Sequence, residues 1–241
     1  MPISKNIKET MTSKGAGVIR KMFEEGIRLK AQYGNDKVFD FSIGNPDLEP
    51  PADVKESMER NLAKCREKNF HGYMPNAGFA FCRDAMAEKT SLEQGVKVTG
   101  DCVVMSVGAA GALNALIKAI INDGDNVIVP APYFTEYKHY VKNHGGVLVE
   151  VKTKGDFSLD LDAIKSALNQ KTAAVLINSP NNPTGRVYTK EEIKALAALL
   201  EEHAEKCGRK PYLICDEPYR AIVYDGKEVP GAFPLYDSAI V

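Results

Sequence analysis

The sequence predicts an α/β protein: a mostly parallel sheet covered by helices in a three-layer α/β/α arrangement. Three observations carry this reading. From residue 102 onward, short apolar runs alternate with amphipathic stretches, the rhythm of successive strand–helix units. The intervening stretches place apolar residues at three- and four-residue spacing, as crossover helices require. With 241 residues and 44% hydrophobic content, the chain can also bury a substantial core.

Taken in order, the first hundred residues show helical patterns at 17–30, 53–65 and 78–90, joined by Gly- and Pro-rich loops with little strand signal. Residues 39–47 read as a short extended piece ending in a sharp turn, and a change of domain is placed at about residue 46. Strands are expected at 102–106, 127–129, 147–151, 173–177, 212–215 and 239–241. Between the first two, Leu113, Leu116, Ile117 and Ile120 form one face of a crossover helix over 110–121. Another helix begins near Asp160 or Asp162 with Ile164 and Leu168 inward. A further one begins after Thr189-Lys190-Glu191-Glu192, where the threonine caps a backbone amide and Glu192 reaches back, with Ile193, Leu196, Ala197 and Leu200 as its buried stripe.

Composition removes several function classes. Basic and acidic residues nearly cancel, 31 against 32, so no global field draws the chain to nucleic acid or to a membrane surface. Five cysteines without a C-x-x-C pair argue against a disulfide framework and a cysteine zinc site. His71, His139, His144 and His203 lack metal-binding spacing, so no metal is expected. The charge-studded first thirty residues have no signal-peptide core, and no long apolar run occurs. The expectation is a soluble, cytoplasmic protein acting on a small molecule.

Four segments could carry chemistry. The turn Ser106-Val107-Gly108-Ala109-Ala110-Gly111 is read as following a strand and opening a helix. Small side chains there let an anion reach free amides at the positive end of the helix dipole, and phosphate is the natural guest. Tight strand-to-helix packing would use the same residues. Asp216 closes the apolar run 212–215 at a strand's carboxyl end, where a carboxylate drawn from water needs a cation or several donors; a protonated pyridine nitrogen would serve, and a plain helix cap is the alternative. Tyr219 could offer its hydroxyl to the same ligand. In Asn178-Ser179-Pro180-Asn181-Asn182-Pro183-Thr184-Gly185, two prolines and a glycine stiffen the chain and hold Asn182 in one direction. Pro132-Tyr133-Phe134 sets aromatic rings at the same edge, available for stacking or for the core.

In this order and spacing the motifs resemble the fold-type I pyridoxal-phosphate enzymes, and among them the class I/II aminotransferases of the aspartate-aminotransferase-like branch. The resemblance runs from Asp40 to Val241. Asn-Pro-Thr-Gly followed by Asp-Glu-Pro-Tyr is its specific part; the Gly-Ala-Ala-Gly turn and the aromatic are weak alone. It implies pyridoxal 5'-phosphate as cofactor, with Gly108, Ala109 and Ala110 on the phosphate and Phe134, where the family often has tryptophan, on the pyridine ring. It further implies Asn182 and Tyr219 on the phenolic oxygen and Asp216 on the pyridinium nitrogen. Tyr73 resembles the tyrosine that reaches the neighbouring subunit's phosphate, implying a homodimer, and Gly44 a backbone contact to the substrate carboxylate. A cis bond between Asn182 and Pro183 is also implied.

In domain terms the resemblance gives 1–45 as an N-terminal arm with the first part of the small domain, and 46–241 as a cofactor-binding large domain, incomplete at its C-terminus. In the family, the lysine that forms the Schiff base lies in a Ser-x-Ser-Lys turn beyond the strand starting near Ala239. The expectation is therefore no catalytic residue within this chain, the lysine lying beyond Val241, and a chain inactive as given. The one lysine after Asp216, Lys227, reads as a solvated turn residue. The strand expected at 102–106 would lack its antiparallel neighbour and expose backbone. The implied activity is amino transfer from an aspartate-like donor to a 2-oxo acid. The alternatives are a non-catalytic pyridoxal-phosphate-binding or dimerisation fragment and a carbon–sulfur lyase of the same fold.

Overall fold

In the computed structural model, which describes residues 3–5, 7–8, 18–42, 44 and 48–241, five strands form one parallel sheet. They are β1 Asn126–Ala131, β2 Val147–Lys152, β3 Thr172–Asn178, β4 Tyr212–Asp216 and β5 Ala239–Ile240, in the spatial order β2-β1-β3-β4-β5. The chain divides into two compact units, residues 1–72 and 73–241, and the sheet lies wholly in the second. The division near residue 46 read from the sequence concerns the domains of the complete protein and remains a proposal.

The first unit contains α1 Val18–Tyr33, a 3-10 turn at Asn35–Lys37 and α2 Ala52–Ala63. The extended piece at 38–42 is anchored by Asp40, whose Oδ1 accepts from the Ser42 amide at 3.0 Å and hydroxyl at 2.6 Å. The sharp turn expected at 45–47 lies outside the described residues.

In the second unit the helices are α3 Ala80–Gln94, α4 Gly108–Ile120, α5 Tyr137–Asn143, α6 Leu161–Ala167 and α7 Lys190–Cys207. Because strand side chains alternate between faces, each central strand feeds two cores. Ile128, Val175, Ile177, Leu213 and Cys215 pack with Ile164, Leu196 and Leu200 of α6 and α7. Val127, Val129, Leu176 and Ile214 pack with Leu113 and Ile117 of α4 and Tyr137 and Val141 of α5. The result is the three-layer arrangement expected, with β3 buried along its whole length.

Local signals explain the helix starts. Thr189 and Glu192 form the reciprocal cap of α7, Glu192 N donating to Thr189 Oγ1 at 3.2 Å and Thr189 N to Glu192 Oε2 at 2.8 Å. Asp160 caps α6 by accepting from Ala163 N at 3.0 Å. Helix α5 has no side-chain cap and only seven residues, which is why its sequence pattern was silent.

One expected strand is absent. Residues 100–102 form a 3-10 turn, and the extended piece after it pairs with no strand of the sheet; Met105 N donates instead to Ala77 O at 2.9 Å. A strand needs a neighbour to satisfy its backbone; this segment pairs with neither edge strand, β2 or β5, and Val104 and Val107 stay exposed.

Candidate active site

The two long motifs leave the sheet together because β3 and β4 end in register, Asn178 opposite Asp216. The fully buried Asn178 side chain ties them: its Nδ2 donates to the Asp216 carbonyl at 2.8 Å, and its Oδ1 accepts from Asn182 N at 2.6 Å. The loop between is closed by its own polar groups. Gly185 N donates to Asn181 O at 2.7 Å, the Thr184 hydroxyl to Asn181 Oδ1 at 3.0 Å, and Tyr188 N to Ser179 Oγ at 3.0 Å. Its Ser179–Pro180 and Asn182–Pro183 bonds are cis, the second as the resemblance implied. Asn182 itself is half-buried, and its carboxamide makes no hydrogen bond among the described residues.

Asp216 sits half-buried at the carboxyl end of β4, and the Tyr137 hydroxyl donates to its Oδ2 at 2.5 Å. Burial pushes the Asp216 carboxyl above the usual carboxylate range, and the Tyr137 bond pulls it part of the way back. No cation pairs with it among the described residues. Phe134 follows the carboxyl end of β1 and meets Tyr137 edge-on, ring centroids 5.6 Å apart at 81°. Tyr219 lies in the turn after β4, partly exposed, with its hydroxyl unengaged among the described residues. It is close enough that its charge would raise the Tyr137 hydroxyl pKa further. The neighbouring Glu217 takes no part in this cluster: it pairs with Arg220 at 2.7 Å and accepts from Gln94 Nε2 at 3.2 Å.

Gly108, Ala109 and Ala110 form the exposed first turn of α4, whose Leu113 and Ile117 share the apolar cluster of Tyr137. Gly108 has φ +69°, a conformation that favours glycine, and a side chain there would meet nothing within 4 Å. Gly111 is needed for a different reason, since an added Cβ would stand 2.7 Å from Ser106 Oγ. Of the two further sequence-derived positions, Tyr73 is fully exposed, and Gly44 belongs to the first unit and has open surroundings. Lys227 is exposed in its turn and lines a separate cavity of about 770 Å³ between the end of α3, the start of α7 and residues 227–234.

Sequence reasoning missed Tyr137 and assigned no role to Asn178. The signals existed: Tyr137 stands three residues after Phe134, one helical turn on, and a withdrawn carboxylate demands a donor. Asn178 is the polar residue that ends an otherwise apolar run.

The group that such a site would hold can be tested against these atoms. A carboxylate with one donor and no cation suits a protonated ring nitrogen. An unengaged carboxamide and phenol suit a ring oxygen, and an open helical first turn suits a phosphate. Pyridoxal phosphate presents all three, so the residues fit it.

The helix-flanked parallel sheet carrying this cluster at its carboxyl edge has the architecture of the fold-type I pyridoxal-phosphate enzymes. Residues 36–238 match the family "Aminotransferase class I and II", and the chain belongs to it. Pyridoxal phosphate is that family's cofactor. The chain is 41% identical over 188 residues to the aspartate/prephenate aminotransferase of Thermus thermophilus, covering 77% of this chain and 46% of that protein. It is 34% identical over 202 residues to the aspartate aminotransferase of Bacillus subtilis, covering 83% and 48%. An amino transferase structure from Eubacterium rectale superposes with TM-score 0.92 at 38% identity, covering 99% of this chain and 60% of that one. The Thermus thermophilus aspartate aminotransferase structure with maleate gives 0.83 at 34%, covering 99% and 59%. The chain spans about half the length of the curated relatives it matches.

Proposed function

We propose that this chain supplies the cofactor-gripping wall of an aminotransferase that moves an amino group from an aspartate-like amino acid to a 2-oxo acid. The observation that carries the reading is Asp216, a half-buried carboxylate with no cation partner among the described residues, held by Tyr137 at the edge where Asn182 and Tyr219 offer polar groups unengaged among those residues. When bound, the pyridine ring of pyridoxal phosphate acts as an electron sink for the bonds at the substrate's α-carbon.

The chain's own groups fit that task. The Asp216 carboxylate keeps a proton on the ring nitrogen through charge and hydrogen bonding in a partly dry setting. The Asn182 carboxamide and the Tyr219 hydroxyl would donate to the ring oxygen, and the first-turn amides of α4 would donate to the phosphate. Phe134, just beyond the end of β1, would stack on the ring. The donor preference is supported by the aspartate aminotransferases among the relatives. Tyr73 and Gly44 are assigned to the partner's phosphate in a homodimer and to the substrate carboxylate. The covalent lysine anchor is assigned outside residues 1–241; Lys227, the one lysine after Asp216, is exposed in its turn and lines a cavity that contains none of the cluster residues.

Two titrations test the reading. Pyridoxamine phosphate, which cannot condense with surface lysines, is expected to bind saturably at one site per chain; no saturable binding overturns the reading. Borohydride treatment in the presence of pyridoxal phosphate is expected to label exposed lysines without preference. Stoichiometric labelling of one lysine within the chain would overturn the placement of the anchor.

A further inference from the structure

We propose that Tyr137 is a positioning residue for the cofactor: by occupying Oδ2 of Asp216 it holds the carboxylate charged and turned so that Oδ1 is the oxygen presented to the ring nitrogen. This deepens the reading above and rests on it.

Tyr137 is the first residue of α5, and its ring is wholly buried. Tyr133 stacks on it at 6.3 Å with 12° between planes, Phe134 meets it edge-on, and Tyr140 packs at 6.4 Å. Leu113, Ile117 and Ile214 close the rest of the cluster. A phenol so enclosed must find an acceptor for its proton, and Asp216 Oδ2 is that acceptor at 2.5 Å. Burial, and then the Asp216 charge, push the Tyr137 hydroxyl pKa far up, so its proton stays on oxygen and the bond runs from phenol to carboxylate.

The surroundings leave this task to no other group. Among the described residues, the titratable groups that act on Asp216 from α5 are Tyr137 and Tyr140, Tyr219 in the following turn acts on Tyr137, and the neighbouring Cys215 packs on the other face of the sheet; none of them is a cation. Glu217 is turned to Arg220 and Gln94. Tyr137 is therefore the one donor to the Asp216 side chain among the described residues, and Oδ1 has none. With Oδ2 held by the phenol, rotation that would exchange the two oxygens is hindered, and a ligand N–H meets Oδ1 as an oriented acceptor.

The test is the carboxyl titration of Asp216 in the whole chain, followed by carbon-13 NMR with aspartate labelled and the resonance assigned by its loss in Asp216→Asn. Tyr137→Phe is expected to raise the midpoint by about one pH unit or more, because a donor to the charged form is lost. Replacing Tyr137 with 3-fluorotyrosine, a more acidic phenol differing by one atom, is expected to lower it. In parallel, the acid limb of pyridoxamine phosphate binding should move up with the midpoint in Tyr137→Phe, which a merely structural residue would not cause. If the phenylalanine chain fails to fold, the fluorotyrosine chain decides alone: a lowered midpoint supports the proposal and an unchanged one overturns it. An unshifted midpoint in chains that do bind pyridoxamine phosphate overturns the role of Tyr137 only. Absence of binding in the wild-type chain overturns the reading of the site and this inference with it.

Discussion

Replacing Asn178 with alanine should loosen the site and the fold together, and the size of the effect follows from two bonds. The carboxamide donates to the Asp216 carbonyl at 2.8 Å and accepts from Asn182 N at 2.6 Å, while buried to 3% exposure. The Asp216 carbonyl keeps a second donor, Ser179 N at 3.3 Å, so there the loss is one ordinary bond, about 1 kcal/mol. Asn182 N loses its acceptor in a half-buried setting, a further cost of about 1–2 kcal/mol. The sum is about 2–3 kcal/mol, read as the difference in unfolding free energy from urea titrations of wild type and Asn178→Ala. Because the same bonds set Asn182 against Asp216, pyridoxamine phosphate affinity should fall as well. A stability change below about 0.5 kcal/mol, the size expected for a neutral surface substitution, would show that Asn178 does not clamp the two strand ends.

Four further substitutions test the frame that carries the site. Arg209 pairs with Asp125 through two bonds at 2.9 and 2.7 Å, and Arg209→Ala should cost about 2–3 kcal/mol, below the full cost of breaking a buried pair because the guanidinium is partly exposed. The Arg209 bond holds the Asp125 carboxyl far below its ordinary range, so its contribution is complete above the unfolded pKa of about 4 and is lost as pH falls toward the folded one; acid titration of stability should be flatter in Arg209→Ala. Arg220→Ala removes the ion-pair partner of the half-buried Glu217, whose carboxyl burial already pushes up. Urea unfolding should show a deficit of about 3 kcal/mol near neutral pH that shrinks on acidification, where Glu217 can be neutral. Thr189→Ala should cost about 1 kcal/mol as a lost cap, and Glu192→Ala more, since Glu192 also accepts from Leu159 N and Arg186 Nη2; equal thermal shifts would contradict this order.

Much of this fold is legible in the chain because its signals are local. The apolar runs that became β1 to β4 and the capped stripe of α7 depend on spacing within a few residues. The segment after Cys102 has the same local character, yet its fate depends on a partner strand, which spacing within the segment does not report. The site divides the same way. Asn182, Asp216 and Tyr219 stand in motifs that a reader meets as contiguous residues. Tyr137 reaches Asp216 across 79 positions of sequence, and only the packing of α5 on the sheet brings them together. Asn178 was visible as a residue but not as a clamp, since its role arises from the register of β3 with β4.

The proposed site turns on Asp216 meeting the ring nitrogen of the cofactor. It is tested most directly by comparing pyridoxamine phosphate with the analogue in which a C–H replaces that nitrogen, on wild type and on Asp216→Ala. A contact between a partly desolvated carboxylate and a pyridinium predicts that wild type prefers the natural ligand by about tenfold or more and that the preference vanishes in the variant. Equal affinity of wild type for the two ligands would contradict it.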